Sequence, residues 1–318
     1  MDNLTHTLTG LLLSRAGLNR FHPMALPILL ISANVPDFDA VSLLGGASNY
    51  LHYHRWITHS LLALPVMAIL PPLLVRMAAR KRPFPWLSAW AISMVGVASH
   101  LLLDWTNSYG IRLFLPFNDE WPGLSITGVV DIWIWAILLL AVFAPMLGRL
   151  VSAEIGAKKT SGQGWAIAAL VLIALYDSGR AVLHRHAIEV QEARMYNGET
   201  PRRTLAYPDR MNPMVWRGIV ETGAFFVIQT VNLAQGFDSA EHRIVFKPES
   251  SPAIEAAAKT PEFQRLAAFS RALHWHSTPA SEVEGATRVE ASDLFFGFTA
   301  SALVDSRNQV QSTSFRFR

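Results

Sequence analysis

The sequence predicts a membrane α-helical bundle of about four spans with an N-terminal helical hairpin, followed by a C-terminal α+β extramembrane domain. Three observations lead there. Only 16% of the 318 residues are charged, against about 25% in a typical soluble domain. The deficit is concentrated in residues 1–183, where apolar runs approach the ~20 residues needed to cross a hydrocarbon core. From His184 onward the pattern turns polar and strand-like, so the expected division is 1–183 and 184–318.

Leu8–Leu18 and Pro23–Ala33 are short apolar pieces separated by Arg15, Asn19 and Arg20, which suits a hairpin better than two independent spans. Ile57–Val75 is the first expected span and ends against Arg76, Arg80, Lys81 and Arg82. Its Pro65, Pro71 and Pro72 would break a soluble helix but are tolerated as kinks in a membrane. Trp86–Leu103 follows and ends at Asp104, and Ile126–Gly148 is interrupted only by Asp131 near its start. Trp165–Tyr176 is short. It crosses only if Asp177 and Arg180 lie near the far interface, where charge costs less than at the centre.

Beyond the spans, Arg185, Glu189, Glu192 and Arg194 suggest a helix leaving the membrane. Ala224–Val231, His242–Lys247, Leu294–Phe298 and Ser312–Arg318 read as strands, the last alternating Phe315 and Phe317 with Arg316 and Arg318. Pro252–Arg271 reads as helix, and Ala272–His276 is ambiguous.

Lys and Arg in short loops orient the bundle. The Arg76–Arg82 cluster and the loop with Arg149, Lys158 and Lys159 are expected inside, and the Trp105–Ser125 loop outside. The formal net charge of +3 comes mainly from these clusters, so nucleic acid is not an expected partner. Met1, Asp2 and Asn3 provide no basic start, so a cleaved secretory signal is not expected. The absence of cysteine excludes disulfides, thiolate nucleophiles and Cys-ligated metals. Any metal must be held by imidazole, carboxylate or water.

On this topology His6, Asp37, Asp39, His52, His54, His59, His100, Asp104 and Asp131 all fall on the outer side. His100 and Asp104 are four residues apart and share a helical face. Pro36 sets a turn that carries Asp37 and Asp39, and His54 and His59 flank a helix start. Ionisable groups at membrane depth are costly and usually functional, which favours one shared polar site. Plainer readings stand beside it. His22 and His52 suit interfacial anchors, Asp37, Asp39 and Asp131 suit helix starts, and Asp177 with Arg180 suits a pair across one turn.

His54-Arg55-Trp56-Ile57-Thr58-His59-Ser60 resembles the His-Arg-x-x-Thr-His-Ser signature of the YdjM-like inner-membrane metal-dependent hydrolases. Pro36-Asp37-Phe38-Asp39 resembles that family's Pro-Asp-x-Asp element, and Thr5-His6 and Ser99-His100 through Asp104 also match its pattern. The resemblance covers roughly residues 1–180, and Pro213–Gly218 with Glu221-Thr222 is similar to the C-terminal extension of longer members. It implies a multi-pass inner-membrane protein and a divalent-metal hydrolase, zinc being the expected ion and manganese the alternative.

The expected ligands are His6, Asp37, His54, His59, His100 and Asp104. Asp39 is expected to orient a ligand or act as general base, Arg55 to hold an anionic substrate, and Thr58 and Ser60 to orient ligands. Membrane lipid and a small or lipid-linked substrate are the expected partners. The alternative is a non-catalytic transporter or scaffold. A transporter, however, places polar groups near the midplane and on both sides. If the orientation holds, a reporter fused after Arg318 behaves as periplasmic or extracellular, and a cytoplasmic signal overturns the span count.

Overall fold

The computed structural model describes residues 1–79, 83–154, 162–235, 242–281 and 283–317, with the side chains of 149–154 excepted. Arg80, Lys81, Arg82, Lys158, Lys159 and Arg318, and the Arg149 side chain, lie outside the described residues. The chain divides into two compact units. One comprises Met1–Asp39, Arg55–Leu183 and Pro208–Pro213; the other comprises Ala40–His54, His184–Tyr207 and Met214–Arg318.

In the first unit α1 (Asn3–Ala16) begins where Asp2 Oδ1 accepts the N–H groups of Leu4 and Thr5. This supplies acceptors that a helix N-terminus otherwise lacks. It ends at Gly17, whose φ of 139° suits only glycine. The chain returns as α2 (Ala25–Ser32) and packs on α1. His22, expected as an interfacial anchor, is buried instead, and its Nδ1 accepts the Met24 N–H. Val35–Gly45 continues in 3-10 turns, and α3 (Ala47–Tyr53) belongs to the second unit.

The span expected over Ile57–Val75 is not one helix. A 3-10 turn, Ile57–His59, is followed by α4 (Leu64–Met67) and α5 (Leu70–Ala78). Proline lacks an N–H but suits a first turn, so prolines at the N1/N2 positions restart helices here instead of kinking one. The next helix, α6 (Trp86–Thr106), runs one turn beyond the expected Trp86–Leu103. The helix expected from Ile126 begins later, as α7 (Ile132–Glu154). Asp131 Oδ1 accepts the N–H groups of Trp133 and Ile134, the capping role, while Ile126 and Thr127 bond the Thr106 carbonyl.

The short Trp165–Tyr176 run lies inside the much longer α8 (Gln163–Glu192). This helix continues through Asp177 and Arg180, where Arg180 donates to the carbonyls of Ile126 and Pro213. Ala25–Gly45, Trp86–Thr106 and Gln163–Glu192 are long and apolar enough to cross a membrane. A fourth is added if Ala47–His59 and Leu64–Ala78 count as one broken span, and Ile132–Gly148 is a shorter apolar helix.

Leu12, Leu103, Ile134, Leu138 and Ile173 form a core shared by α1, α6, α7 and α8, while Leu140, Phe143, Leu147, Leu172 and Leu175 remain exposed. Apolar outer faces of this kind suit lipid, where helices associate through close packing and small residues. A Cβ on Gly10 would stand 2.7 Å from the Leu29 carbonyl oxygen, and one on Gly96 would collide with Ser32.

The second unit holds two four-stranded sheets. The first has the order β1 (Arg203–Pro208), β2 (Val215–Glu221), β3 (Phe225–Asn232), β4 (His242–Phe246). Two helices, α9 (Pro252–Ala258) and α10 (Pro261–Phe269), divide the predicted Pro252–Arg271 helix, because Pro261 begins a new one after Thr260. The second sheet runs β5 (Leu273–Pro279), β6 (Thr287–Asp293), β7 (Thr299–Val304), β8 (Val310–Arg316), antiparallel throughout. Leu294–Phe298, expected as a strand, contains the β6–β7 turn. Asp293 Oδ1 accepts the N–H groups of Phe295 and Phe296, and this carboxylate turn overrides the strand propensity of an aromatic run.

Gly10→Val is expected to destabilise the first unit by about 1–3 kcal/mol through overpacking. Gly179→Ala, where a Cβ meets nothing within 4 Å, is expected to leave the thermal midpoint in detergent unchanged or raise it.

Candidate metal centre

Three short segments of the first unit supply the donors. Pro36 and the 3-10 turns after it carry Asp37, and the turn Ile57–His59 ends on His59. One face of α6 carries His100 and Asp104. His59, His100 and Asp104 are fully buried, and the Asp37 side chain is 10% exposed.

Asp37, His59, His100 and Asp104 each present one donor atom to a common point. His59 Nε2 and His100 Nε2 are 3.2 Å apart. Each lies 3.5 Å from Asp37 Oδ1 and 3.4 Å from Asp104 Oδ2. Tetrahedral zinc with bonds of about 2.0–2.2 Å has donor–donor edges of about 3.3–3.6 Å. Five edges fall in or at the border of that range, and the sixth, between the carboxylates, is within 4.8 Å.

The buried oxygens Asp37 Oδ1 and Asp104 Oδ2 accept no well-formed hydrogen bond among the described residues. Buried carboxylates in that condition are paired or bind metal. The donor set therefore fits a divalent cation.

Neighbours fix the imidazoles in the required tautomer. His100 Nδ1 lies 2.7 Å from the Ala33 carbonyl oxygen, which can only accept, so the proton sits on Nδ1 and the Nε2 lone pair faces the centre. His59 Nδ1 lies 3.0 Å from Thr58 Oγ1 and 3.2 Å from Asp39 Oδ2. Thr58 Oγ1 donates to that same Asp39 oxygen at 2.6 Å, and the Arg55 N–H donates to it at 2.9 Å. Asp39 Oδ2 thus meets His59 Nδ1, the Thr58 hydroxyl and the Arg55 N–H together.

Arg55, expected to hold an anionic substrate, is buried. It contacts Asp104 Oδ1 at 3.1 Å, donates to Asn107 Oδ1 and the Gly110 carbonyl, and stacks over Tyr109. A buried guanidinium is best stabilised by such a paired, fully bonded setting. Asn107 donates from Nδ2 to Asp104 Oδ1, and the Met1 amino group lies against the same oxygen. Sequence reasoning missed Asn107. Its position three residues after Asp104 was the available signal.

His6 stacks on His100 with centroids 3.8 Å apart, and its Nε2 is 3.4 Å from Asp104 Oδ1. It stands beside the four converging donors and is not one of them. Both of its buried ring nitrogens are without a hydrogen-bond partner among the described residues. Of the other expected ligands, His54 is one of a second group of possible donors with Asp37 and Asp39, and its ring also stacks on Tyr50. Ser60 caps its own turn, bonding the Ile57 carbonyl and the Ala63 N–H. Asp39→Asn and Thr58→Val are expected to weaken zinc binding by about 10–100-fold each, the usual cost of losing a partner that orients a ligand, as read by competition with a chromophoric chelator.

The YdjM inner membrane protein family matches residues 1–187 of the chain. A Bacillus subtilis (strain 168) protein described as "Uncharacterized protein YfhP" is 27% identical over 152 residues, a stretch covering 45% of each chain. The chain therefore matches less than half the length of that relative. No solved structure matches. With the family match spanning more than half of the chain, and both the Asp37/Asp39 and His59/His100/Asp104 elements inside it, this protein belongs to the YdjM inner membrane protein family.

Proposed function

We propose that this protein is a membrane-bound, metal-dependent hydrolase whose centre is formed by Asp37, His59, His100 and Asp104 and lies toward the outer face of the membrane. The reading rests on one observation, the convergence of the Nε2 atoms of His59 and His100 with two buried carboxylate oxygens that have no hydrogen-bond partner among the described residues. A divalent ion held by these four residues would lower the pKa of a bound water to about 7 and would polarise a carbonyl or phosphoryl oxygen.

The chain's own residues do the rest. Asp39 and Thr58 hold His59 in register, the Ala33 carbonyl holds His100, and Arg55 and Asn107 hold Asp104. His6 offers a ring nitrogen that has no hydrogen-bond partner among the described residues to a substrate or water, since a buried imidazole left unsatisfied costs about 1–3 kcal/mol. The Asp37 carboxylate is the most open of the four donors and marks the side of entry. A centre supported by apolar helices favours a phosphoester or ester carried on a lipid. The C-terminal domain is proposed to be periplasmic or extracellular.

One observation favours a second reading, a structural metal in a non-catalytic scaffold. Four protein donors in a buried place resemble a closed structural zinc site, whereas catalytic zinc usually keeps one position open. Metal per protein, measured by mass spectrometry on the detergent-purified chain, is paired with a screen of phosphoester, ester and amide substrates. His59→Ala and His100→Ala are expected to strip most of the metal and abolish turnover, while His276→Ala leaves both unchanged. Bound metal with no turnover selects the structural reading. Well-folded protein that stays metal-free after reconstitution with zinc or manganese defeats both.

A further inference from the structure

Ala40–His54 leaves the first unit after Asp39 and returns at Arg55, and in between it belongs to the second unit. Within that unit α3 packs on α10 and β8. Arg265 of α10 donates to Ser48 Oγ at 2.9 Å and to Asn49 Oδ1 at 3.0 Å. Phe317, next to β8, meets the Tyr50 ring edge-on at 5.7 Å, and Leu51 is buried.

The two ends of this strap are functional residues. Asp39 orients His59, and Arg55 holds Asp104. The ends are also joined to each other by the Arg55 N–H to Asp39 Oδ2 bond. Arg55 has φ of 59°, a left-handed conformation costing a non-glycine residue roughly 1–2 kcal/mol, so its neighbours must hold it in place.

We propose that Ala40–His54 is a strap through which the C-terminal domain sets the geometry of the His/Asp centre, with Arg265 and Phe317 as positioning residues. Loosening α3 from α10 and β8 releases the restraint on Asp39 and Arg55, and so on His59 and Asp104. This rests on the reading of the four donors as a metal centre, and it holds whether or not the centre hydrolyses anything.

The test uses the full chain in detergent. Cobalt(II) affinity and its visible absorption band are read together with backbone hydrogen exchange over residues 33–39 and 54–60 of the metal-free protein. Arg265→Ala and Phe317→Ala are expected to lower cobalt affinity by about tenfold, the low end for an orienting partner. They are also expected to alter the band and to speed exchange in both segments. Arg265→Lys, which keeps a donor, restores most of each effect. Phe226→Leu, in a core without strap residues, loosens the domain and leaves the band and the exchange as they were. Parent-like exchange in Arg265→Ala and Phe317→Ala overturns the strap, as does an equal response in Phe226→Leu. A parent chain that binds no cobalt overturns the metal centre instead, and the exchange data then decide the strap alone.

Discussion

Asp37 Oδ1 and Asp104 Oδ2 share a buried space with the Nε2 atoms of His59 and His100. Burying carboxylates away from water costs several kcal/mol per ion unless a cation or a set of donors compensates. Much of the polar chemistry of the first unit serves this arrangement. Arg55 and Asn107 occupy the other oxygen of Asp104, and Asp39 and Thr58 occupy the other nitrogen of His59. Each outer contact leaves the inward atom of its partner available, which is how ligand orientation is ordinarily secured.

The packing of the helices follows from the same requirement. For the Ala33 carbonyl to reach His100, the end of α2 must lie close against α6. Gly96 allows that approach at Ser32, and Gly10 allows α1 to close on Leu29 from the other side. Larger residues at these two positions would separate the helices, and the separation would appear at the Nδ1–carbonyl bond before it appeared anywhere on the lipid-facing surface. Helix association without a hydrophobic driving force depends on such small contacts.

A stretch between the Pro-Asp-x-Asp and His-Arg-x-x-Thr-His-Ser elements is packed with α10 and β8, so two signature motifs are separated by a segment folded into the other unit.

The apolar runs, the change to a polar, strand-like pattern after His184, and the one-turn spacing of His100 and Asp104 were legible in the sequence, because each is a local pattern of hydropathy or period. The Asp37/Asp39 and His54–Ser60 motifs were legible too, as ordered residue types. Tertiary structure decided which of them meet. Asp37, His59, His100 and Asp104 converge because α2 and α6 cross closely, a contact between residues more than sixty positions apart that no local period encodes. It also turned Arg55 inward to Asp104 and placed His6 beside the four donors without making it one of them. The same non-local competition redirected Leu294–Phe298 into a turn, where the Asp293 carboxylate satisfies backbone donors that a strand would have left to a neighbour.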